Sequence, residues 1–154
     1  MNERNRSEGQ PLICFQEDCG NAPRKKLLLD LAISFARGEL EPIMEQLSDR
    51  VVWKRVGIGS IEGKEAVVKV LDGMKTLRVK ELHVEHLLTH GNEAAISGLL
   101  VFGDGGGSGD GGPAGSGWPG GLRRSFCALF KFGGFSKSAR INEITTYVIG
   151  ESRE

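Results

Sequence analysis

Few side chains in this sequence are equipped for chemistry, and three of them are the histidines His83, His86 and His90. Strict strand alternation puts His86 and His90 on one face and His83 on the other. A metal would need a further ligand from another strand, with Glu93 or Glu143 the available acids, so no metal site is expected. His86 would share its face with Leu82, Val84 and Leu88. It is then either a buried general base or a partly exposed strand histidine without chemistry. Lys54 is the second candidate. Pointing inward, it offers a buried cation for an anionic ligand or an amine of lowered pKa. Pointing outward, it is a solvated lysine whose stem lies along the sheet. Its neighbours Trp53 and Arg55 must take the opposite face. Trp53 either stacks on a ligand or belongs to the core or a subunit interface. Tyr147 either brings its hydroxyl to a cavity or caps the end of the sheet. Cys127, between Phe126 and Ala128, reads as inert buried filler, and Cys19 has no evident partner.

The glycine-rich stretch at 103–121 invites a phosphate-loop reading, but it does not open a helix after a parallel strand, which that chemistry requires. One faint calcium-repeat unit, Gly106 to Asp110, cannot build a site that needs stacked neighbours. A flexible hairpin loop is the expectation, with Trp118 and Pro119 anchoring its return, over a pocket mouth if there is one. No cofactor is expected.

Bulk properties narrow the partners. The chain has 154 residues with 20 basic and 20 acidic side chains, hence zero formal net charge. That gives no general electrostatic hold on nucleic acid or an anionic membrane. The runs Arg24-Lys25-Lys26 and Arg123-Arg124 are short, and read as a solvated helix start and a strand end. Three cysteines do not make a secreted disulfide framework. No apolar run approaches a membrane span, and the polar N-terminus lacks a signal-like apolar core. A cytoplasmic location is the expectation.

The elements that must position these residues follow from periodicity. Residues 1–20 show no clear period and read as an irregular N-terminal arm, with PLICF at 11–15 able to pack on the body. Asn21 as N-cap and Pro23 in the first turn open a helix carrying Leu27, Leu28, Leu31, Ala32 and Phe35, which Gly38 ends. A shorter helix follows, striped by Leu40, Ile43, Met44 and Leu47. Val51–Val56 is strand-like. Gly57, Gly59 and Gly63 mark a turn, and Ala66, Val67, Val70, Leu71 and Met74 a third helix. Strands at 78–90 and 93–102 flank the tight turn Gly91-Asn92. Gly98 within the second of them signals a bulge or a close backbone approach. Strands at 122–132 and 141–149 complete an α+β domain spanning 21–150. Both faces of the strand at 93–102 are apolar, so the face away from the helices needs a cover. A second copy of the chain is the favoured cover, the N-terminal arm the other candidate.

This order, with Ala36-Arg37-Gly38-Glu39-Leu40, Leu47-Ser48-Asp49 before Val51-Val52-Trp53, and Ile61-Glu62-Gly63-Lys64-Glu65-Ala66, resembles the nuclear transport factor 2-like superfamily in its SnoaL-like branch. His90-Gly91-Asn92-Glu93, Phe126 to Phe132 and Ile144 to Ile149 continue the resemblance, and with Cys19-Gly20-Asn21 it is most similar to an uncharacterised bacterial subgroup. The resemblance implies a cone-shaped, curved antiparallel sheet whose concave face carries three helices over a pocket. It also implies a homodimer through the outer sheet face. Lining candidates are Phe35, Trp53, Met74, Phe126, Phe130 and Tyr147, with Lys54 and His86 as the polar ones.

The superfamily includes enzymes and plain binding proteins, so the fold does not choose between them. The ketosteroid isomerase template asks for a base, an acid and a tyrosine where this chain has Lys54, Ala128 and Leu31. That chemistry is not expected, and the acids of epoxide hydrolase relatives find no full match around Arg55 and Asp72 either. Three readings remain: a binder of a small apolar ligand, an enzyme using His86 or Lys54 on a small apolar substrate, or a dimeric interaction module whose cavity is only core. The first two call for a solvent-connected cavity of a few hundred Å³ with Lys54 or His86 pointing into it, and its absence would sink both.

Overall fold

The computed structural model describes residues 2–4 (backbone only), 9–16, 23–74, 77–103, 123–134, 136 and 138–150. In chain order the elements are β1 (Asn2–Arg4), β2 (Leu12–Phe15), α1 (Pro23–Arg37), α2 (Glu41–Gln46), β3 (Leu47–Arg55) and β4 (Gly59–Glu62). There follow α3 (Lys64–Gly73), β5 (Val79–His90), β6 (Glu93–Phe102), β7 (Arg123–Phe132) and β8 (Ile141–Gly150). The strands form one sheet in the order β1-β2-β5-β6-β7-β8-β3-β4. It curls into an open cone, and the helices cover its concave side.

The ends of α1 follow from its sequence. Pro23 occupies the first helical position, where a missing N–H costs nothing. At the other end Gly38, at φ 73°, lets its N–H reach the Phe35 carbonyl and the Glu39 N–H reach that of Ser34, a Schellman stop. Leu28, Leu31 and Ile33 of this helix are buried against the sheet. Asn21 and Cys19 lie outside the described residues.

The sheet departs from the sequence reading in three places. First, the N-terminal arm is not irregular throughout: β1 and β2 pair with each other, and β2 runs parallel to β5. Ile13 and Cys14 are both buried, at 1% and 5% exposure, so β2 has no polar face and therefore no alternation to read. Second, the four long strands are antiparallel to their chain neighbours where they pair, but β3 lies parallel to β8, so the sheet is mixed. Third, β3 starts at Leu47, and the turn marked by Gly57, Gly59 and Gly63 contains β4, which folds back on β3 from Val52↔Glu62 to Arg55↔Gly59.

Two arginines expected at the surface are structural. Arg24 reaches across the sheet's end and donates to the carbonyls of Gly91, Gly134 and Ser136, at 2.6, 2.6 and 3.1 Å. Its guanidinium also sits 4.3 Å from the centre of the Phe132 ring. One planar fork thereby ties α1 to both the β5–β6 and the β7–β8 turns. Charge-assisted hydrogen bonds of this kind contribute about 2 kcal/mol together after partial exposure is allowed for. Arg24→Ala is therefore expected to lower the melting temperature by about 4–8 °C, and Arg24→Lys to recover little of it, because an ammonium cannot span both turns. Differential scanning calorimetry on the three proteins checks this. Alternation along β7 separates the second pair, leaving Arg123 exposed and turning Arg124 inward at 1% exposure. There its guanidinium lies 4.4 Å from the Phe102 ring centre, and burial lowers its pKa.

Candidate functional site

The inner faces of β3, β6, β7 and β8 and one side each of α1 and α3 line a partly open cavity of about 140 Å³. Phe35 and Leu31 come from α1, Val67 and Leu71 from α3, and Trp53, Ile96, Phe126, Ala128 and Phe130 from the sheet. Helical spacing explains the first group and strand alternation the second. The wall is almost wholly hydrocarbon. Among its residues only Trp53, Cys127 and Thr146 carry a heteroatom in the side chain. The indole N–H of Trp53 donates to Thr146 Oγ1 at 2.8 Å, so the most buried polar group of the wall is satisfied within it.

Of the lining candidates, Phe35, Trp53, Phe126 and Phe130 lie in this wall. Met74 does not. It is buried at 4% exposure but faces a separate small gap beside Ser34, Phe35, Leu40 and Leu71. Tyr147 stands on the outer face at 41% exposure, in register with Cys127.

Neither polar candidate reaches the cavity. Lys54 follows alternation: Trp53 and Arg55 take the inner face, and Lys54 turns out, pairing with Glu143 at 2.6 Å. The hydrogen bond and the charge of Glu143 raise the Lys54 pKa, and those of Lys54 lower that of Glu143. Lys54 is thus the reverse of an activated amine.

His86 is displaced by a bulge. The register of β5 on β6 runs Val84↔Gly98 and then His86↔Ser97, leaving Glu85 as the extra residue. Beyond that point the faces swap. Leu87 and Thr89 stand opposite the inward Ile96 and Ala94, while His86, Leu88 and His90 face out and are exposed. The expected face of Leu82, Val84, His86 and Leu88 is therefore broken after Val84. His83, placed opposite His86 by strict alternation, ends on the same outer face, where it lies 3.2 Å from Glu81. Among the described residues no group of three His, Cys, Asp or Glu side chains is placed to hold a metal.

The cavity is also smaller than the few hundred Å³ the binding readings called for, because Trp53, Phe126 and Phe130 project into it. The ketosteroid isomerase positions are filled without its chemistry: Leu31 and Ala128 are apolar wall, and Lys54 lies on the far side of the sheet. Residues of the glycine stretch from 104 to 121, Trp118 and Pro119 included, lie outside the described residues.

No sequence-family model matches this chain, and no curated protein sequence does. Solved structures do. An NTF2-like protein of unknown function from Mesorhizobium loti superposes with a TM-score of 0.59 at 14% identity, over 89% of this chain and 99% of that one. A steroid delta-isomerase from Pseudomonas aeruginosa gives 0.58 at 13%, over 87% and 85%. A de novo designed protein with a curved β-sheet gives 0.60 at 16%, over 84% and 88%. A designed protein, an isomerase and a protein of unknown function share this architecture, so it fixes no activity. What the curved sheet, the concave helices and these superpositions establish together is that the chain has the nuclear transport factor 2-like fold.

Proposed function

We propose that this protein binds a small, largely apolar molecule inside the cone, as a ligand-binding domain of the SnoaL-like type. The condition set on the sequence, a few hundred Å³ with Lys54 or His86 inside, is not met; what supports this narrower reading, a smaller and wholly apolar ligand, is the hydrocarbon-walled cavity of about 140 Å³. Protein interiors are close-packed, so an apolar space left open among core side chains is one where a ligand of matching shape gains contacts that the protein itself does not make. Apolar cavities of this size stay dry and take up benzene-sized molecules. Acid–base catalysis by His86 or Lys54 is not part of the proposal, since both stand on the outer face.

The test is direct titration. Methylcyclohexane added to the purified protein should raise its melting temperature in a concentration-dependent way and show saturation transfer in ligand-observed NMR. Native mass spectrometry of freshly purified protein should reveal any ligand carried through purification. If methylcyclohexane neither stabilises the protein nor shows transfer, the cavity is only core.

A second reading concerns the outer face. Leu88, Leu129, Tyr147 and Ile149 are exposed there by 62%, 41%, 41% and 66%. A rim of His90, Glu93, Lys131 and Glu143, in register across β5 to β8, offers both signs of charge to a two-fold copy of itself. These features favour a homodimer through that face. Sedimentation equilibrium should give twice the 16.6 kDa chain mass, and Leu129→Asp should convert it to monomer. A monomeric wild type would remove this reading and leave the cavity proposal standing.

A further inference from the structure

Aromatic side chains are concentrated around the cavity. They make up 6% of the sequence but four of the twenty lining residues. Phe35 comes from α1, Trp53 from β3, and Phe126 and Phe130 from β7. The pair on β7 is the informative one. Phe126, Ala128 and Phe130 are alternate residues of one strand with no bulge between them, so all three stand on the inner face. At about 3.3 Å per residue, positions 126 and 130 lie about 13 Å apart. The residue between them is an alanine, which leaves the space above the strand open. A guest over Ala128 lies about 6–7 Å from either Phe position, within the 4.5–7 Å at which aromatic rings pair favourably. Among the described residues no cation lies over Phe126 or Phe130, whereas Phe132 and Phe102 are faced by Arg24 and Arg124. Trp53 also presents hydrocarbon to the cavity, because its one polar atom donates to Thr146.

We infer that the ligand is a monocyclic aromatic hydrocarbon, of the size of benzene or a short-chain alkylbenzene, held over Ala128 between Phe126 and Phe130. The cavity volume of about 140 Å³ suits one such ring, since an apolar cavity of about 150 Å³ holds benzene. A hydroxyl or carboxylate on the ring would be buried against hydrocarbon without a partner. A saturated ring of the same size fills the space equally but has no quadrupole to pair with the two phenyl groups. The inference rests on the cavity-binding reading and adds the class of ligand to it.

Toluene and methylcyclohexane share one carbon skeleton and differ in aromaticity. Both are titrated by ligand-observed NMR into wild type, Phe126→Leu and Phe130→Leu. Each substitution should weaken toluene by about fivefold and leave methylcyclohexane within about twofold. The change in the ratio of the two affinities is the readout, because the difference in hydrophobicity between the probes cancels in it. On wild type itself, bound toluene should give intermolecular NOEs to the ring protons of Phe126 and Phe130 and shift the Ala128 methyl resonance. An affinity ratio unchanged in both variants would overturn the inference, and so would bound toluene that contacts neither ring. A wild type that takes methylcyclohexane but not toluene would also overturn it, an outcome that leaves the apolar-cavity reading intact. If neither probe binds wild type, both proposals fall together.

Discussion

Gly98→Ala is expected to destabilise the protein by about 4 kcal/mol or more, an exceptional cost for one methyl group. A Cβ at this position would lie 1.8 Å from the His83 carbonyl oxygen and 2.9 Å from its carbon. Those are backbone atoms of the neighbouring strand and cannot rotate aside. Relief requires β5 to lift off β6, which undoes the hydrogen-bonded register around the Glu85 bulge. Gly73 is the internal comparison. It ends α3, has no positive φ and would meet nothing within 4 Å if given a Cβ. Gly73→Ala should therefore be neutral or stabilising by up to about 1 kcal/mol. Urea unfolding of the two variants beside wild type measures the difference. A Gly98→Ala midpoint close to that of Gly73→Ala would show that the strands do not approach as described.

Filling the cavity should separate stability from binding. Ala128 sits at the centre of the inner face, in register with Ile96 on one side and Thr146 on the other, and it lines the cavity. Ala128→Leu adds volume where the structure has space. The apolar area that the larger side chain buries, about 1–3 kcal/mol, opposes a packing strain of about 1–3 kcal/mol, so net stability should stay within about 1.5 kcal/mol of wild type. Methylcyclohexane affinity should fall by more than about a hundredfold, because the probe and the new side chain compete for the same space. Denaturant midpoints and the NMR titration together check this. A variant of unchanged stability that still binds methylcyclohexane with wild-type affinity would place the binding site elsewhere.

Much of the fold could be read from local pattern. The apolar spacing of Leu28, Leu31 and Phe35, with Pro23 before it and Gly38 after it, fixed α1 because capping and periodicity are short-range effects. Gly91-Asn92 placed the β5–β6 hairpin for the same reason, and Gly98 announced an irregularity even though its form was open between bulge and close approach. It is both. Trp53, Phe35, Phe126 and Phe130 could be named as cavity wall because large apolar side chains on alternating positions of inner strands have few other places to go.

Arg24 left no signal. Its three carbonyl partners lie in turns far along the chain, and a basic residue at a helix start looks the same whether it is solvated or clamped. The pairing of β2 with β5 was hidden likewise, since a four-residue strand buried on both faces carries neither length nor alternation.

The histidines and the lysine draw the boundary most clearly. By itself the sequence determined that Lys54 opposes Trp53 and Arg55, because adjacent strand residues must point apart. Which side was inside depended on where α1 and α3 pack, and only the tertiary structure decided it. The facing of His86 rested on unbroken alternation, and one extra residue at Glu85 reversed it. That residue is tolerated because β5 arches over a position with no side chain, a relation between two strands that no single stretch of sequence contains. The candidate catalysts thereby moved to the outer face, and the cone was left with hydrocarbon walls.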